Sequence, residues 1–128
     1  MGGNKTMNLQ DNVLDDVKKY LTLNQTLGFN MFDDQLLETI DSLFSDIQQL
    51  TNYVNQNAEI TKESTWDSLF DASASEEAKL ALLKHTKRYI FLSTKMVFDP
   101  PPQSLNQYYS NWIDEAKERI RYNEEMRN

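Results

Sequence analysis

The sequence predicts an all-α protein, a compact single-domain bundle of about four main helices plus a short helix, and two observations carry that prediction. Apolar residues return every three or four positions in four separate stretches, which is the period of one helix face. A chain of 128 residues that is 39% apolar, with six Phe, six Tyr and two Trp, can bury one real core, since a single domain usually takes about 100–200 residues.

Residues 1–10 contain two glycines and no periodicity, and read as a flexible N-terminus. Met1-Gly2-Gly3-Asn4-Lys5-Thr6 formally fits a myristoylation pattern, but no polybasic patch supplies the second anchor that stable membrane attachment needs. The helical domain is expected over 11–123. Its first helix carries Val13, Leu14, Val17, Tyr20 and Leu21, with Asp11 as a cap and Lys18 and Lys19 at the end where the helix dipole favours cations. Residues 24–30, with Gly28, form the turn. A second helix starts near Asp33 with Phe32 as a staple; Leu36, Ile40, Leu43, Ile47, Leu50 and Val54 make its stripe, which Leu37 and Phe44 widen. Asp33, Asp34, Glu38, Asp41 and Asp46 line much of its other surface.

Residues 52–62 are a polar connector, and Trp66, Leu69 and Phe70 crowd a short helix or turn that must press on the core. Ser73 with Glu76, or Ser75 alone, caps a long helix over 76–97. Ala78, Ala81, Leu82, Leu83, Tyr89, Ile90, Phe91, Leu92, Met96, Val97 and Phe98 make most of its circumference apolar, as suits a central helix. Asp99-Pro100-Pro101-Pro102 stops it, because proline lacks an N–H and drives the preceding residue out of α geometry. The last helix starts near Ser104, spaced from Gln107 as a capping box, and puts Leu105, Tyr109, Trp112, Ala116 and Ile120 on one face, flanked by Tyr108, Ile113 and Tyr122. Residues 124–128 are a charged C-terminal tail.

Composition removes most chemistry. Without cysteine there are no disulfides, thiolate metal sites or cysteine nucleophiles, and the one histidine, His85, reads as a structural or surface residue. Asp15 and Asp16 point about 100° apart on a helix and make no catalytic pair. Calcium-loop spacing and a glycine-rich phosphate loop are both missing from the sequence. Neither enzymatic activity nor a cofactor or metal is expected. No apolar run approaches the roughly 20 residues of a membrane span and no leader-like apolar segment opens the chain, so a soluble, intracellular protein with no membrane partner is expected. A net charge of −7 disfavours general DNA binding. That charge is uneven: residues 1–77 hold most of the acids, and residues 78–128 are net basic.

The segment Tyr89-Ile90-Phe91-Leu92-Ser93-Thr94-Lys95-Met96-Val97-Phe98-Asp99-Pro100-Pro101 resembles the signature of small head-tail connector (head completion, adaptor) proteins of tailed bacteriophages, in which a helix reading Tyr-x-Tyr-Leu-Lys-x-Arg/Lys-x-x-Phe ends in Phe-Asp-Pro-Pro. Asp15-Asp16-Val17-Lys18-Lys19 resembles the family's opening Asp-Asp-Val-Lys, Thr65-Trp66-Asp67 its central Thr-Trp-Asp, and Arg121 and Asn123 its closing Glu-Trp-Arg-Leu-Asn. The order is the family's, across roughly residues 11–123. Ile120, Tyr122, Phe91 and Ser93 replace the usual Trp, Leu, Tyr and Lys, Pro102 adds a third proline, and residues 23–30 lack the usual acidic loop.

The resemblance implies a structural virion protein made in the host cytoplasm and placed in the neck. There, roughly twelve copies would form a ring between the portal and the stopper or tail completion protein, with double-stranded DNA only as channel cargo. The alternative is an acidic helical module that mimics DNA and inhibits a host enzyme. On the connector reading, Lys84, Lys87, Arg88, Arg119 and Arg121 are candidate contacts for an acidic surface such as Asp33, Asp34, Glu38 and Asp41, and Tyr108 and Tyr122 are candidates for the aromatic share. Phe98, Asp99, Pro100 and Pro101 are expected to form a structural corner, with Phe98 and Trp112 large enough to anchor the last helix on the central one.

Overall fold

The computed structural model describes residues 8–21 and 32–126, the side chains of 123–126 excepted. Of the expected flexible N-terminus, 1–10, residues 1–7 lie outside them, as do the 24–30 turn and the last two tail residues. Four helices follow one another: α1 (Val13–Leu21), α2 (Asp33–Leu50), α3 (Glu76–Phe98) and α4 (Asn106–Met126), with single 3-10 turns at Asp67–Leu69 and Gln103–Leu105. No strand occurs among the described residues, only two isolated bridges, Asn12 with Thr65 and Val54 with Phe70. Helix α3 is central and packs against α1, α2 and α4, most extensively against α4. Val13, Val17, Leu36, Ile40, Phe44, Ile47, Trp66, Leu69, Leu82, Leu83, Ile90 and Ile120 are fully buried between them. Each such side chain stabilises the fold by roughly 1.5–3 kcal/mol, against the chain entropy lost on ordering.

Several local expectations give way to neighbouring groups. Asn12, not Asp11, caps α1: its Oδ1 accepts the Asp15 N–H at 2.9 Å, while the Asp11 carbonyl accepts the Trp66 N–H at 3.1 Å. Helix α2 stops at Leu50 because Thr51 turns extended, and Val54 enters the core from the connector instead. There the Asn55 N–H donates to the Leu69 carbonyl and the Asp71 N–H to the Tyr53 carbonyl, both at 2.8 Å. Phe32 takes the N-cap position of α2 itself and stays exposed, so it makes no staple.

Ser75 caps α3 by accepting the Ala78 N–H at 3.1 Å, and Ser73 turns away to donate to Asp71. Ala81 and Val97 face outward, because α3 is covered on three sides and not all round. Helix α4 begins at Asn106: Ser104 lies in the preceding 3-10 turn, and the Gln107 amide donates to Asn111, so the capping box does not form. Ala116 and Ile120 face inward as expected, but Leu105 and Trp112 are exposed.

Candidate functional site

A buried brace joins the two segments that carry the Asp-Asp-Val-Lys and Thr-Trp-Asp motifs. Trp66 Nε1 donates to Asp16 Oδ2 at 2.7 Å. The Lys87 ammonium lies 3.4 Å from the same oxygen and 5.4 Å from the centroid of the Trp66 ring, close enough for a cation–π contact. Phe91 meets Trp66 edge-on, and Tyr20 stacks on Phe91 at 4.9 Å. Helix α1, the Trp66 turn and α3 are thereby pinned together. Lys87, expected at an exposed contact, is buried, because α1 delivers Asp16 to it.

The acidic candidates divide in the same way. Asp33 pairs with Lys18 and holds α2 to α1, and Asp41 accepts the Ile60 N–H at 3.1 Å, fixing the connector. Both serve the fold. Asp34 and Glu38 are the two of the four that stay exposed. Further along α2, Asp46 accepts the Tyr89 hydroxyl at 2.8 Å; burial first, then this carboxylate, raises the Tyr89 pKa.

The basic candidates gather on the α3–α4 face. Arg88 and Arg119 both reach Glu115, at 3.9 and 3.3 Å, Lys84 is exposed, and Arg121 pairs with Glu118 at 3.3 Å. His85 lies among them. Burial chiefly, and then the charges of Lys84, Arg119 and Arg88, hold its pKa below the ordinary histidine value, against a smaller opposing effect of Glu115. These exposed ion pairs contribute only about 0–1 kcal/mol each to the fold, which leaves the cations available to a partner surface. Tyr108, Trp112 and Tyr122 stand out beside them at 58%, 40% and 56% exposure.

At the corner, Phe98 packs partly buried on the core and Pro101 is buried, while Pro100 is exposed. The Asp99 N–H donates to the Lys95 carbonyl at 2.8 Å and its carboxylate meets Lys95 Nζ at 3.1 Å, closing the end of α3. Trp112, expected to anchor the last helix, is 40% exposed and gathers Tyr108 and Tyr109 around itself, ring centroids 6.4 and 5.2 Å away. A cleft of about 450 Å³ opens elsewhere, lined by Leu9, Asp67, Glu76, Lys79 and Leu80, of which Lys79 and Asp67 form an ion pair at 3.0 Å. Among the described residues no group of three or more acidic or histidine side chains could hold a metal ion.

Residues 13–127 match a family model described as phage connector protein. The chain belongs to the phage connector protein family. No curated protein and no solved structure matches it. The family match starts at the first residue of α1 and takes in all four helices, so the fold described above is the family's domain in this chain. This phage connector protein is a structural protein of the connector type, and membership implies that it works with other virion proteins. No helix among its described residues is long and apolar enough to cross a membrane.

Two features of the connector's surface were not legible as such in the sequence. Glu115, where Arg88 and Arg119 converge, sits one turn beyond Trp112 on the same side of α4, so the charges and exposed rings share one face. The outward position of Trp112 was masked by its membership of an apolar stripe. The signal that could have found it is the neighbouring Tyr109, Ile113, Ala116 and Ile120 stripe, which already suffices to cover α3 and α2.

Proposed function

We propose that this connector protein is a head-tail adaptor of the virion neck: several copies, a dodecamer in the simplest case, close into a ring between the portal and the stopper or tail completion protein. The ring extends the DNA channel, with duplex DNA as cargo only, and it needs no catalysis and no cofactor. The observation that carries this reading is the family match over the entire helical domain, together with the Phe98-Asp99-Pro100-Pro101 corner. Its surface chemistry supports the reading. A closed ring is a head-to-tail assembly in which each copy must offer two different, complementary faces. The exposed acids of α2 and the exposed bases of α3 and α4 are such a pair. A net charge of −7 also suits a conduit, because it lets duplex DNA pass without gripping its phosphates.

The test is attachment. Purified heads carrying portal should bind the protein in near-portal stoichiometry, and deletion of its gene should leave filled heads without tails. Heads that bind none, or joining that proceeds without it, would sink the proposal. A free protein that instead competes with DNA for a host enzyme would establish the DNA-mimic alternative.

A further inference from the structure

Helix α4 carries an apolar stripe that the fold uses and, beside it, an exposed stripe of aromatic and charged residues that it does not. Tyr109, Ile113, Ala116 and Ile120 face the bundle, partly or fully buried. Beside them Tyr108, Trp112, Glu115, Arg119 and Tyr122 step by four, three, four and three, and all five are exposed. This 3.5-residue average is the spacing of a helix–helix seam, here about 21 Å long. The sequence around its first half is also unusual: residues 100–113 contain no Asp, Glu, Lys or Arg, in a chain that is 26% charged. Exposed rings within a charge-depleted stretch have the composition of an interface core.

We infer that this outer stripe of α4 seats helix α2 of a neighbouring copy, antiparallel to it. The inference rests on the ring reading and names its contact. A seam of this spacing requires a helix, and the chain offers one that fits. Helix α1 has only nine residues, and α3 is covered by three other helices. Helix α2 has 18 residues, five acids and no base. Its exposed positions Gln35, Glu38, Ser42, Ser45 and Gln49 step by three, four, three and four, the α4 pattern read backwards.

Antiparallel alignment brings every position into register. Glu38 then faces Arg119, Ser45 faces Trp112, Ser42 faces Glu115, and Gln35 and Gln49 face Tyr122 and Tyr108. The large rings lie over small or amide side chains, and the exposed Asp34 adds to the negative end that meets Arg119 and Arg121. Parallel alignment fails on both counts, since its steps disagree and it sets Glu38 against Trp112. The two faces differ and lie on the same chain, so the contact propagates head to tail and can close.

The absence of native cysteine makes a clean test possible. Heads are loaded with an equal mixture of two single variants, Ser45→Cys and Asn111→Cys, treated with a short bismaleimide and run denatured. Covalent dimers are expected from the mixture and not from either variant alone, and a ladder from the double variant. Dimers from Asn111→Cys alone would mean a two-fold α4 contact, and dimers from Gln35→Cys mixed with Asn111→Cys would mean parallel packing; each overturns the inference. Loaded heads that give no dimer overturn the inference while leaving the connector reading intact, whereas heads that take up no protein remove both. As a second measurement, Arg119→Glu should weaken attachment by up to about fivefold per contact, and adding Glu38→Arg to the same chain should restore it. Failure of the swap to rescue counts against the Glu38–Arg119 pairing.

Discussion

Trp66 Nε1 and Lys87 Nζ converge on one oxygen of Asp16, and the cost of disturbing that point depends on which group goes. Lys87→Met leaves a largely buried carboxylate without its cation, and should destabilise the fold by about 3–5 kcal/mol. Adding Asp16→Asn removes the stranded charge and keeps an amide oxygen for the indole N–H, so the double variant should recover most of that loss. Urea unfolding midpoints at unchanged slope would show it; equal loss in both variants would mean that packing of the Lys87 stem, not charge, is what matters. His85 supplies a second check at this scale. Because its folded pKa is held below the unfolded value near 6.5, the unfolded chain takes up the proton first as pH falls. Stability from this group is therefore complete above the unfolded pKa and declines as pH drops below it, levelling once the folded form is protonated too. His85→Gln should flatten that part of the stability profile between pH 7 and 5, and an unchanged profile would assign the slope to other groups.

At the scale of elements, the proline corner divides into a structural half and a conformational half. Pro101 is buried, so Pro101→Ala loses packing as well as chain stiffness and should lower stability by about 1–2 kcal/mol. Pro100 is exposed, and Pro100→Ala should cost less than about 1 kcal/mol through the unfolded chain alone. Thermal unfolding distinguishes them, at roughly 4 °C per kcal/mol for a chain of this size. Attachment to heads lost at unchanged stability would instead make the corner a binding motif. The sequence showed the corner and all four helices because periodicity and proline act locally. It misplaced Val54 and Trp112, which both satisfy the helical period: Val54 leaves the helix to pair with Phe70, distant in sequence, and Trp112 stays outside because the stripe beside it on α4 needs no further residue. Lys87 is the sharpest case, since only the meeting of α1 and α3 withdraws it from the surface.

For the whole molecule, what remains outside after folding is a polarised surface. Lys87, Asp33 and Asp41 are taken into the fold, and Asp34 and Glu38 on α2 are left to oppose Lys84, Arg88, Arg119 and Arg121 on α3 and α4. Such charges act mainly on encounter, because at physiological salt their field decays over about 8 Å and each exposed pair contributes no more than about 1 kcal/mol. Binding strength must come from apolar burial, to which the exposed Tyr108, Trp112 and Tyr122 beside these charges can contribute. The two contributions should therefore separate in kinetics. Arg119→Glu with Arg121→Glu should slow attachment to portal-bearing heads and reduce its dependence on salt, leaving the dissociation rate and the circular dichroism of the free protein nearly unchanged. Trp112→Ala should do the reverse, speeding dissociation with little effect on the salt dependence of association. If charge reversal changed only dissociation, the basic face would be a desolvated contact and not a steering one. If neither substitution altered attachment, the α3–α4 surface would make no contact on which attachment depends.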